Sequence, residues 1–344
     1  MKRTPSDPPT PRRQARRPAL ARVLGIAVGV TVLLGLLVAW FAWPAKALEP
    51  RDLPIVVAGP APAATALAQR LQTARPGAFA VTTVADAAAA DQILRDRGAY
   101  AAFVLGSTGV SLHTASGASP TVAALLGQAA QQLGGGAAVT VVDVVPGAAA
   151  DPRGAGFASG YLPLVLVSLI AGVLLAVAVP GRSGRLAGLG TFAVLAGLVG
   201  AAILHGLGLL GGGYLAAAAS LALLSLAVSG TVAGLAALLG APGIGLGVLV
   251  VFLFGNPISA VAAAPELLPQ PWGAIGQWLP AGAGATLLRS AAFFDGAGLA
   301  APLWTLLAWS TLGVVLVVVG RTSVAATSLA ARARSHQPPT PVPA

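Results

Sequence analysis

Between Arg185 and Asp295 the sequence carries three acidic or basic side chains, His205, Glu266 and Arg289, in surroundings that are otherwise apolar or glycine-rich. A charge in such a setting is costly to keep dry, so each is a candidate pathway or gating residue. His205 has no acidic partner in any apolar stretch. Two readings stay open for it: a proton relay, or a neutral imidazole hydrogen-bonded to a neighbouring backbone or hydroxyl group. Glu266 is either a gating or substrate-contacting carboxylate or the acidic residue of a helix start, and Arg289 is its nearest basic candidate partner.

Other constellations fail on their chemistry. Ser229 and His205 would supply a nucleophile and a base, but acyl transfer also needs an oxyanion site, and no motif here provides one. The two lysines, Lys2 and Lys46, both stand outside any G-x-x-x-x-G-K-[ST] pattern, which excludes the phosphate-cradling loop of P-loop ATPases. With no cysteine, there is no thiolate metal site, disulfide or thiol nucleophile. Asp86, Asp91, Asp96, Asp143 and His113 are scattered without metal-ligand or triad spacing. Asp86 fits a helix N-cap, and Asp91 with Arg95 fits an i,i+4 pair on a solvated face. The chain therefore reads as non-enzymatic, with no catalytic residue, cofactor or metal.

The elements that must position these residues are membrane helices. Hydrophobic residues make up 56% of the chain and charged ones 9%, with a mean hydropathy of +0.84; soluble domains carry roughly 25% charge. A span needs about 20 mostly apolar residues. Six stretches qualify: Val23–Trp43, Tyr161–Val179, Leu186–Leu209, Tyr214–Leu239, Ile244–Ala264 and Pro302–Val319, the fifth interrupted by Asn256 and Pro257. The first closes on Trp40, Phe41 and Trp43, residues that favour a headgroup boundary. It is longer than a signal-peptide core of about 7 to 15 residues, so it reads as an uncleaved signal anchor despite the Ala45-Lys46-Ala47 that follows. Gly25 with Gly29 and Gly230 with Gly234 form G-x-x-x-G pairs suited to close helix packing, within the chain or between copies.

Charge sets the orientation. Residues 1–22 hold seven basic side chains against Asp7, which keeps this end cytoplasmic. Six crossings then place Arg182, Arg185, Arg321, Arg332 and Arg334 on the same side, giving 12 basic and 1 acidic residues inside and 8 basic and 9 acidic outside. That sorting accounts for the pI near 11.5 without invoking nucleic acid as a partner. The expected partner is membrane lipid, and the basic N-terminal tail also suits an anionic lipid surface.

Residues 48–160 have a different texture, with short β-type runs (LPIVVA, FAVTTV, AYAAFVLG, AVTVVDVV) alternating with helical ones (TALAQRLQTA, ADAAAADQILRD, TVAALLGQAAQQL), and VSLHTA placed to pair with its predecessor as a hairpin. Such alternation argues a small α/β domain, here extracytoplasmic and inserted between the first and second spans. The predicted fold is thus an α-helical polytopic membrane protein of six transmembrane helices with an α/β insertion.

The stretch GNPISAVAAAPELLPQPWGAIGQWLPAGAG, Gly255 to Gly284, combines apolar content with five prolines. Broken backbone at membrane depth must be buried in protein or line a wet cavity, so the stretch reads as re-entrant or interfacial, with Trp272 and Trp278 as anchors at headgroup level. Together with the order of spans and insertion, residues Gly255 to Gly298 resemble the phage-infection-protein (Pip/YhgE-like) group of bacterial envelope proteins, and more distantly the membrane subunits of type-2 ABC exporters. The resemblance implies a plasma-membrane, permease-like transport subunit, a homodimer or half-transporter, powered by a separate cytoplasmic ATPase and handling an amphiphilic or cell-envelope substrate, with two short helices dipping into the outer leaflet at residues 271–279 and 282–294; the charge sorting puts both termini in the cytoplasm. The chain departs from type-2 permeases in its long exported domain. The alternative is a non-transporting envelope protein whose extracytoplasmic domain binds a partner or serves as a phage receptor.

Overall fold

The computed structural model describes residues 16–107, 109–133 and 139–320. The basic residues of the tails (Lys2, Arg3, Arg12, Arg13, Arg321, Arg332 and Arg334) lie outside the described residues. Helix α1 (Arg16–Lys46) is a unit by itself. Its apolar side chains are exposed from Leu20 to Val38, and Trp40 stacks on Trp43 at 6.2 Å near its C-terminal end. Its hydroxyl is satisfied internally, Thr31 donating to the Ala27 carbonyl at 2.8 Å.

Residues 47–320 belong to the second unit, which begins with a mixed sheet. Its elements are β1 (Leu53–Ala58), α2 (Ala61–Ala74), β2 (Phe79–Val84), α3 (Ala87–Arg95), β3 (Ala101–Gly106), β4 (Gly109–Thr114), α4 (Pro120–Leu133) and β5 (Thr140–Asp143). The strand order is β2-β1-β3-β4-β5, with β3 and β4 antiparallel and the other neighbours parallel. β1 is covered on both faces and reads as an unbroken Ile-Val-Val run, whereas β2 at the edge alternates. The Asp86 carboxylate accepts from the Ala89 amide at 2.8 Å and caps α3. The Asp91–Arg95 pair does not form. Asp91 turns instead to the His113 Nδ1 on β4 at 2.6 Å, because the half-buried imidazole has to be matched and Arg95 points to solvent.

Among the described residues five helices are long and apolar enough to cross a membrane: α1, α5 (Ala155–Ala178), α6 (Arg182–Gly206), α7 (Tyr214–Leu239) and α11 (Ala300–Val319). The protein is thus a multi-pass membrane protein. The span expected over residues 244–264 is not one continuous helix. Its helix, α8 (Ala241–Val248), widens into a π-helical turn (Leu249–Phe254) and stops. At about 1.5 Å per residue this covers roughly 20 Å, short of the roughly 30 Å hydrocarbon core. Pro257 has no amide to extend the ladder, and the Asn256 carbonyl is taken by the Ser259 amide and hydroxyl in a local turn. Beyond it come a 3₁₀ turn (Pro265–Leu267), α9 (Trp272–Gln277) and α10 (Pro280–Phe293).

α7 is the axis of the bundle and is buried along most of its length. Glycines let its neighbours approach: Gly172 of α5 lies against Ser229 and Val232, Gly197 of α6 against Ala218 and Ala222, Gly243 of α8 against Leu235, and Gly313 of α11 against Gly230. These registers make α5 and α11 parallel to α7. α6 and α8 run antiparallel to it, since Gly247 reaches back to Val232 and Leu189 clusters with Ala233. Inside the bundle Ser220, Ser229 and Thr231 donate to carbonyls four residues back, whereas the buried Ser225 and Ser310 hydroxyls have no partner among the described residues. Arg185, expected in a loop, lies in the first turn of α6 and donates to the Val179 and Ala176 carbonyls at 2.9 and 3.0 Å, closing the C-terminal end of α5.

Candidate functional site

The proline-broken stretch becomes the floor on which the sheet rests. Glu49 N donates to the Leu267 carbonyl at 3.0 Å, and Arg51 N to that of Glu266 at 2.9 Å, so the segment leading into β1 pairs with the 3₁₀ turn. Thr121 Oγ1, in the first turn of α4, donates to the Ala262 carbonyl at 2.8 Å. Ala263, Ala264 and Leu267 complete the apolar core beneath β1 and β3. The backbone groups freed by the prolines are thereby paired within the protein, as a broken segment requires.

A cavity of about 640 Å³ opens at this junction. Its walls are the approach to β1 (Arg51, Asp52), the α3–β3 loop (Arg97, Tyr100), the broken stretch (Glu266, Gln277, Trp278), α10 (Thr286, Arg289) and the first turn of α11 (Ala301, Thr305). It therefore sits where β1 and β3 begin, at the opposite end of the strands from the usual ligand crevice of open α/β sheets.

Arg97 follows the C-cap of α3 and has φ +59, the left-handed position that glycine normally fills at a helix end. Its guanidinium reaches across to α10, where Nη1 donates to the Thr286 carbonyl at 3.0 Å and to Ser290 Oγ at 2.5 Å, and it lies 5.0 Å over the Phe294 ring. Asp52 (φ +51) and Ala260 (φ +55) line the same cavity in the same strained conformation. Left-handed non-glycine residues cluster where function requires an unusual chain direction.

Glu266 does not cap a helix. Its Oε2 accepts from the Tyr100 hydroxyl at 2.8 Å. Burial, then the Glu266 charge and this hydrogen bond, hold the phenol protonated well above its ordinary range. Burial lowers the basicity of Arg97, opposed by Tyr100 and Glu266. Arg289 is 5% exposed, donates from Nη2 to the Val261 carbonyl at 2.8 Å, and lies 4.4 Å over the Phe157 ring. Glu266 and Arg289 face one cavity without forming an ion pair. Among the described residues the ion pairs are Arg51–Glu49 and His113–Asp91.

The remaining sequence candidates lie elsewhere. His205, on α6, holds its Nδ1 3.0 Å from the Ala201 carbonyl and meets the Tyr214 ring edge-on at 5.9 Å, outside the cavity lining. Trp278 is 74% exposed and forms part of the cavity rim, while its carbonyl accepts from Trp309 Nε1 at 2.8 Å; Trp272 is half-buried. Gly230 and Gly234 pack on α11, and methyl groups built on Gly25 or Gly29 of α1 meet no atom within 4 Å.

Sequence reasoning found Glu266 and Arg289 because a lone charge in an apolar run is conspicuous. It missed Arg97 and Tyr100, which sit in a domain where charge is ordinary. The assembled site is equipped to bind and orient: it offers fixed cations, a hydrogen-bonded carboxylate and an exposed aromatic rim. Among the described residues no three His, Cys, Asp or Glu side chains converge as metal ligands would. Comparison with protein-family models, curated proteins and solved structures gives no match.

Proposed function

We propose that this protein is a transport-type subunit of the bacterial plasma membrane, permease-like, with its substrate path at the cavity between the α/β domain, the broken stretch, α10 and α11. The observation that carries this reading is the polar cavity itself, lined by buried Arg289 and half-buried Arg97 and Glu266 at the end of an apolar bundle. The parallel alignment of α7 and α11 supports six crossings. The chain leaving α7 at Leu239 has to travel back past the whole helix before α11 begins, and α8, its π-helical turn and residues 255–264 make that return. In this arrangement both termini are cytoplasmic, the α/β domain is extracytoplasmic, and the exposed Trp278 and Trp304 lie at the outer headgroup level. The open face of Gly25 and Gly29 on α1 suits a homodimer contact. With no P-loop lysine in the chain, ATP hydrolysis falls to a separate cytoplasmic subunit.

The test is pull-down of the detergent-solubilised protein, identification of cytoplasmic partners, and efflux from vesicles containing both. A co-purifying ATPase that drives efflux of an amphiphilic dye supports the reading; a protein that recruits no ATPase and moves nothing overturns it. One feature favours the non-transporting alternative: an apolar groove of about 360 Å³ lies between α2 and α4, lined by Leu71, Phe79, Phe103 and Leu125, and suits a partner of the extracytoplasmic domain.

A further inference from the structure

We propose that the cavity binds the phosphate group of an anionic amphiphile between Arg97 and Arg289, which names the substrate class of the pathway above and rests on that reading for the word substrate alone. Two arginines line one cavity, Arg97 from the α3–β3 loop and Arg289 from α10, and neither has a carboxylate within ion-pair distance among the described residues. Each is held in place by neutral contacts. Arg97 uses Nη1 on a carbonyl and a hydroxyl and lies on Phe294, and Arg289 uses Nη2 on one carbonyl and lies on Phe157. These contacts fix the orientation of both groups without neutralising either, and a guanidinium has five N–H donors to satisfy. Burial, then the Arg97 charge, lower the basicity of Arg289. A protein that removes two like charges from water and leaves them unpaired bears a desolvation cost that an anion relieves.

The nearest acids act on the two arginines only through space, Glu266 on Arg97 and Asp151 on Arg289, while Glu266 accepts from Tyr100 and Asp151 from the Gly156 and Phe157 amides. Arg51 has its own contacts to Glu49 and Leu267, and three arginines (Arg51, Arg97, Arg289) line the cavity against two acids (Asp52, Glu266). The neutral donors are also occupied: Thr286 Oγ1 donates to Gln277 Oε1, and Gln277 Nε2 to the Ser259 carbonyl. Recognition in the cavity therefore falls to the arginines. A carboxylate is satisfied by one guanidinium fork, whereas a phosphate has oxygens enough for two forks. At about 640 Å³ the space admits a headgroup and not only an ion. The rim adds the amphiphilic half. Trp278 and the first turn of α11 form it, and the adjoining face of α11 shows Trp304 70% exposed, an apolar surface along which acyl chains can lie.

The test uses the full-length protein in an uncharged maltoside detergent, titrated separately with phosphatidylglycerol, phosphatidylcholine and inorganic phosphate. Binding is read by tryptophan fluorescence and by native mass spectrometry of retained lipid. The expected result is one tightly retained phosphatidylglycerol per chain, with phosphatidylcholine at least about tenfold weaker because its choline adds a third cation to the site. Arg97→Gln should weaken phosphatidylglycerol about tenfold or more, and Arg70→Gln, on the exposed face of α2, should leave it unchanged. Melting curves establish that each variant folds. If Arg97→Gln does not fold, Arg97→Lys replaces it, with about a threefold to tenfold loss expected from the lost fork. Equal retention by wild type and the Arg97 variant overturns the site. Saturation by inorganic phosphate at the same concentration as the lipid overturns the amphiphile assignment. The assay needs no ATPase, so intact binding with no efflux counts against the transport reading alone.

Discussion

The contact between α7 and α11 yields a sharp test, because the two glycines that sequence spacing treats as equivalent are not equivalent in the fold. A methyl group built on Gly313 lies 2.7 Å from the Gly230 carbonyl oxygen and the Thr231 nitrogen, and one built on Gly234 lies 2.6 Å from the Gly313 carbonyl oxygen and 2.7 Å from Leu316 Cβ. A methyl group on Gly230 has nothing nearer than Gly313 Cα at 3.8 Å, an ordinary contact. Most of the obstructing atoms are backbone and have no rotamer to turn away. Gly313→Ala or Gly234→Ala therefore forces the helices apart by roughly 1 Å, with loss of dispersion contact along the seam, at about 2 to 3 kcal/mol or more. Gly230→Ala should lie within about 0.5 kcal/mol of wild type, or gain up to about 1 kcal/mol from the better helix former. Unfolding in mixed micelles by titrated dodecyl sulfate, followed by far-ultraviolet circular dichroism, measures the difference. The packing argument is refuted if Gly313→Ala unfolds with wild type, or if Gly230→Ala is as damaging as Gly234→Ala.

Tyr161→Phe should cost about 1 kcal/mol in the same assay, because the buried Tyr161 hydroxyl donates to the Ala281 carbonyl at 2.6 Å and that hydrogen bond is lost. Asp86→Ala removes the α3 cap and should cost about 1 kcal/mol, while Asp86→Asn, which still accepts a hydrogen bond, should recover most of it in thermal melting. Tyr100 stays protonated in the fold to higher pH than in the unfolded chain, so its contribution is complete below about pH 10 and is lost as pH rises beyond it, at up to about 1.4 kcal/mol per pH unit. Melting temperatures between pH 8 and 11.5 should fall less steeply in Tyr100→Phe than in wild type; parallel curves would show that Tyr100 carries no such linkage.

Four of the five expected spans after the first were legible from length and apolarity, and each coincides with a long helix, α5, α6, α7 or α11. The fifth expected span is not one continuous helix, for a physical reason. Hydropathy counts transfer energy residue by residue, but a helix fails where a single amide is missing, and Pro257 ends the ladder in a run whose apolarity continues to Ala264. The alternation of strands and helices in residues 48–160 was readable because period and turn residues agree locally. Asp91 misled the same kind of reading: i,i+4 spacing with Arg95 says only that the two side chains can meet, and a half-buried His113 on the neighbouring strand outbids a solvated arginine for the carboxylate.

The candidate site divides along the same line between local and long-range information. Glu266 and Arg289 stand out in the sequence because their surroundings are apolar. Arg97 gains its role from Thr286 and Ser290, 189 and 193 residues away, and from a backbone conformation that the LRDRG run conceals, since the glycine comes one residue after the left-handed position. Had Gly occupied position 97, the α3 end would relax and no cation would reach α10. An arginine held in a glycine's conformation, at a strain cost of about 1 to 2 kcal/mol, is explained by what its side chain does in the cavity rather than by the helix it terminates. Asp52 and Ala260 bear the same strain on the same cavity, so three independent segments distort toward one point. That convergence, more than any single residue type, is the physical reason to place the function there.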